Sequence, residues 1–132
     1  MPVLCESRPL VNTERGLILE IIFAGHFGEA SRGNFDADEM KSFVTAVVEN
    51  DRPIAILFNL TDLHYQFGDA IGGIVVPLIL KRKSPITACF VANGETAQSL
   101  QWFFEKNMIF GVAGFKLFSD HEQGLAFLRA FT

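Results

Sequence analysis

From Ala70 to Leu80 no side chain carries a charge, and then Lys81, Arg82 and Lys83 arrive together. The spacing predicts a helix over 69–83, opened by Gly68 and by Asp69 as N-cap, with its cations where the helix dipole favours them. A helix apolar on every face needs cover on every face, from its own domain or from a partner. Its charge-free run is about half the roughly 20 residues that span a bilayer, so it is too short to cross one. Pro77 lies inside it and must kink or break it.

The segments around this helix ask for an α/β fold. Residues 3–11 form a weak strand candidate limited by Pro2 and Pro9, and Glu14-Arg15-Gly16 reads as a turn. Residues 17–27 are nearly continuously apolar, with Glu20 as the one interruption, which suggests a strand buried on both faces. These two make an opening antiparallel hairpin. A polar, Gly-containing stretch at 28–34 reads as a loop. Asp36 then caps a helix from Ala37 to about Asn50, with Glu39 completing a capping box. Met40, Phe43, Val44, Val47 and Val48 recur at helical spacing, and Asp51-Arg52-Pro53 ends the helix. Residues 54–60 and 86–92 read as buried strands, 95–109 as a helix, 115–118 as a short strand. A last helix is capped by Asp120. Strands alternating with helices imply a mixed, mostly parallel sheet opened by a hairpin and covered by about four helices.

At 132 residues, 49% hydrophobic and 20% charged, the chain is expected to be one globular domain over 1–132. A formal net charge of −4 argues against nucleic-acid binding, which needs a clustered basic surface. Residues 1–6 have no basic start and no long apolar run, so no signal peptide is expected and the chain reads as cytoplasmic. Cys5 and Cys89 lack metal-type spacing. Cys89, in an apolar strand pattern, reads as an inert core thiol.

Catalytic patterns are missing. His26, His64 and His121 make no HxH, HxxxH or HExxH arrangement, so no metal site is expected. No serine sits on a GxSxG elbow, and Gly68, Gly72 and Gly73 lack the Lys of a phosphate-binding loop. Gly72-Gly73 reads as a site of close helix packing. Asp62 with His64 is the one pair that suggests acid–base work, joined by Asp69, but the two are expected to face opposite sides. Trp102, Phe103 and Phe104 are consecutive on a helix, so at least one must face solvent, a neighbouring element or a partner.

The segment 55–80 resembles the STAS family of sulfate-transporter and anti-sigma-factor-antagonist domains. Asn59-Leu60-Thr61 is similar to the family's Asp-Leu-Ser-like triplet, and Asp69-Ala70-Ile71-Gly72-Gly73 to its Asp-Ser-Ser/Ala-Gly-Leu helix start. Asp69 and Gly72 match, while Ala70 stands where the phosphorylatable Ser belongs, and a one-residue slip puts Asp69 there instead. Phe115-Lys116-Leu117-Phe118, Asp120 and 125–128 resemble the family's last strand and helix. The resemblance implies a non-enzymatic bacterial signalling module without cofactor. Its partner would be an anti-sigma-factor or kinase-like regulator, or a second copy. Docking would involve Tyr65, Phe67, Gly68, Asp69, Ala70, Gly72, Gly73, Val76 and Leu80, with no switching by Ser phosphorylation. The alternative is a domain binding a small apolar molecule or lipid between the sheet and the helices that carry Trp102 and Ile109.

Overall fold

The computed structural model describes residues 4–26, 30–64, 86–106 and 115–131. Their order is β1 (Leu4–Thr13), β2 (Gly16–His26), α1 (Ala30–Asp51), β3 (Ala55–Asn59), β4 (Leu63–His64), β5 (Thr87–Val91), α2 (Gly94–Lys106), β6 (Phe115–Phe118) and α3 (His121–Phe131). The sheet runs β1-β2-β3-β5-β6, with β4 paired to the far end of β2. The hairpin β1–β2 is antiparallel and every other pairing is parallel. This is the mixed, mostly parallel α/β sheet expected from the alternation of apolar runs. Three helices lie among the described residues. The expected fourth, over 69–83, falls outside them.

Thr13 sets the hairpin. Its hydroxyl accepts from the backbone N–H groups of Arg15 and Gly16, both at 3.2 Å, and donates to the Gly16 carbonyl at 2.8 Å. Gly16 has φ +145°, rarely adopted by other residues, and a Cβ there would come within 2.6 Å of Ile54 Cγ2 and push that side chain aside. β1 ends two residues beyond the expected 3–11. It is an edge strand, where Pro is tolerated, and the register shifts between Pro9 and Val11 to accommodate it.

Strand alternation divides the core in two. Leu19, Ile21, Phe23, Ile56, Phe58, Ala88 and Phe90 face α1 and α2, against Met40, Val44, Val47, Val48 and Leu100. Phe58 stacks between Phe23 and Phe90, with ring centroids 6.3 and 5.2 Å away. Ile18, Ala55, Leu57, Cys89 and Val91 face α3, against Leu128.

The start of α1 corrects the sequence reading. Residues 30–34 are helical rather than a loop, and Asp36 lies inside the helix instead of capping it. Turn-forming side chains misled here. Once the buried stripe Met40–Val48 anchors a helix, each upstream residue adds a backbone hydrogen bond for its own two dihedrals. One internal Gly costs only about 1 kcal/mol. The other end agrees with expectation: Arg52, at φ +48°, closes the helix by donating its N–H to the Val48 carbonyl at 3.0 Å.

Candidate functional site at the end of the central strand

Glu20 has no exposed surface, although it sits midway along a buried strand. Alternation places it on the α3 side, in line with Ile18. An ionised carboxylate there requires partners, and three elements supply them. Arg8, directly opposite in the β1–β2 register, donates Nε–H to Oε1. Asn59 Nδ2 donates to Oε2 at 2.9 Å, and His121 Nε2 lies 2.9 Å from the same oxygen. Burial pushes the Glu20 carboxyl up, but the hydrogen bonds from Asn59 and Arg8, with the charges of Arg8 and His121, outweigh it and hold the group below its ordinary value.

His121 reaches Glu20 because α3 approaches the sheet closely. Asp120 caps the helix, its carboxylate accepting from the Glu122 N–H at 2.9 Å. His121, Gly124, Leu125 and Leu128 then share one face at helical spacing. A Cβ on Gly124 would stand 3.1 Å from Val91, 3.2 Å from Leu57 and 3.3 Å from Cys89. The absence of a side chain there brings the helix down.

Asn59 turns the network outward. While its amide nitrogen serves Glu20, its Oδ1 accepts from the N–H of Thr61 at 3.0 Å and from the Thr61 hydroxyl at 2.7 Å. This Asx turn ends β3 and lets the chain step over Leu60, Thr61 and Asp62 before β4 rejoins β2 at Gly25 and His26. The Gly25 N–H donates to the Asp62 carbonyl at 3.0 Å. The buried Thr96 of α2 fixes β4 by donating to the Leu63 carbonyl at 2.5 Å. A charged cluster inside and a pinned turn outside thus meet at the C-terminal end of the central strand, where α/β sheets place their sites.

The triplet Asn59-Leu60-Thr61 lies at the heart of this arrangement, at the doorway to 64–80. The expected docking residues Tyr65, Phe67, Gly68, Asp69, Ala70, Gly72, Gly73, Val76 and Leu80 lie outside the described residues. His26 ends β2 and His121 opens α3, as expected. His64 lies in β4 rather than in a loop. Asp62, in the turn, and His64, in β4, are both exposed on either side of the buried Leu63; the alternation of an extended segment, which puts residues two apart on one side, gave no ground for opposing them. Trp102 is 54% exposed, so it presents much of its ring to solvent, as the run of three aromatics required of at least one member. Among the described residues no three His, Cys, Asp or Glu side chains are grouped as metal ligands would be. Nor is any helix among them long and apolar enough to cross a membrane.

The Glu20–His121 contact was missed at the level of sequence. The signal was the lone charge in a continuous apolar strand, which had to be met by partners whose identity sequence distance hides.

The backbone is similar to the crystal structure of an uncharacterized protein from the DUF3478 family, with a SpoIIAA-like fold, from Shewanella loihica PV-4. The identity is 18% over 95% of each chain, with a TM-score of 0.54. No family model and no curated protein matches the sequence. At this identity the likeness shows the fold alone.

Proposed function

We propose that the chain is a non-enzymatic protein-interaction module that docks through the loop and apolar helix at 64–80 onto an anti-sigma-factor or kinase-like regulator. The observation that carries this reading is the placement of Asn59-Leu60-Thr61. On a SpoIIAA-like backbone, the triplet closes the central parallel strand with its turn pinned from three sides, at the entrance to the charge-free stretch. A rigid turn delivering an uncharged helix suits a contact surface, because apolar area with little ordering cost is what association rewards. Ala70 supplies no hydroxyl, so the module is not switched at that position by phosphate, and it stays competent for its partner.

Val76→Asp and Leu80→Asp test the docking helix. Purified wild-type protein should retain a specific partner from an extract of the native host, or self-associate, and both variants should lose that contact while keeping their circular dichroism. Retention of the same partner and the same oligomeric state by folded variants would overturn the reading. Phosphopeptide mass spectrometry after incubation with host kinases should leave 59–80 unmodified. Phosphate on Thr61 or Tyr65 would refute that part.

A further inference from the structure

We propose that Glu20 is a charge-dependent latch for α3. Its carboxylate holds His121, and with it the start of the helix, against the sheet, and neutralising the carboxylate releases α3 while the opposite face stays packed. Among the described residues the two faces are unequally built: sixteen buried residues join the cluster beneath α1 and α2, whereas six, flanked by the partly buried Leu10, Val11, Phe118, Leu125 and Phe127, form the one beneath α3. Among the described residues, α3 is the one helix on its side. At Gly124 it brings backbone, not side chain, to the sheet, so its central contact is close but small. The charged side chains meeting Glu20 are Arg8 from β1 and His121 from α3, and β3 adds the uncharged Asn59. Of these, His121 alone belongs to a helix rather than to the sheet. Regions with few buried apolar contacts open at lower free energy than the rest of a domain, and a single charged hydrogen bond weighs heavily there. Release would bare Ala55, Leu57, Cys89 and Val91, the apolar strip that α3 covers.

Amide hydrogen exchange at neutral pH on the full chain tests the latch, using wild type, Glu20→Gln and His121→Ala. In both variants the amides of 122–131 should exchange about tenfold faster, while those of 40–50 in α1 stay within about threefold. Unchanged α3 protection in either folded variant would overturn the proposal, as would equal loss in α1 and α3. If Glu20→Gln loses its circular dichroism altogether, His121→Ala decides by the same two criteria.

Discussion

The Cys89 thiol points at the carbonyl oxygen of Gly124, 3.5 Å away, at the place where α3 rests on the central strands. Strand, sulfur and helix backbone meet with no side chain from the helix between them. Substituting Gly124→Leu forces a branched side chain against Val91, Leu57 and Cys89. The expected cost is about 1–3 kcal/mol, read as a lower urea midpoint with unchanged slope.

Burial pushes the Cys89 thiol up to about 12, so the reactive thiolate is scarce at neutral pH. Mass-spectrometric tracking of the Cys89 peptide during alkylation should show modification at the rate of unfolding in urea and essentially none in buffer. Rapid labelling of the folded protein would show that α3 opens far more often than its packing implies.

The charge of Glu20 gives stability a defined pH dependence. Its folded value lies below the ordinary 4.5, so the contribution is fully present above that value and fades as pH falls through the folded one. Wild type is expected to exceed Glu20→Gln by about 1.5–3 kcal/mol at neutral pH. The gap should narrow in acid below 4.5. A gap constant down to acid would place the effect in packing.

Arg52 holds a left-handed backbone at φ +48°. Arg52→Gly removes the Cβ clash of that conformation, roughly 1–2 kcal/mol, against the greater chain entropy of Gly. The expected net gain is about 0.5–1 kcal/mol, visible as a higher melting temperature. A loss would mean that the Arg52 side chain contributes more than its backbone strain costs.

Much of the architecture was legible in the residues because periodicity reports burial. The apolar runs at 17–27, 54–60 and 86–92 became β2, β3 and β5, and Asp120 caps α3 as its spacing indicated. What was not legible depended on distant partners. Nothing local to Glu20 names His121, and nothing in Gly28 to Asn34 reveals that a helix anchored at Met40 would propagate back to Ala30. The triplet Asn59-Leu60-Thr61 was recognised as a motif. Its double role, one amide arm toward Glu20 and the other toward Thr61, appears only in three dimensions.

The partners of Glu20 stand at very different distances along the chain: Arg8 at 12 residues, Asn59 at 39 and His121 at 101. Loop closure grows more costly with separation, so Arg8 meets the carboxylate first, within a hairpin that closes on a microsecond scale. The charge is therefore expected to be compensated before the parallel strands gather and before α3 seals it from water. Assembly in the opposite order would bury a bare carboxylate. Arg8→Leu should accordingly slow refolding, whereas His121→Ala should chiefly speed unfolding.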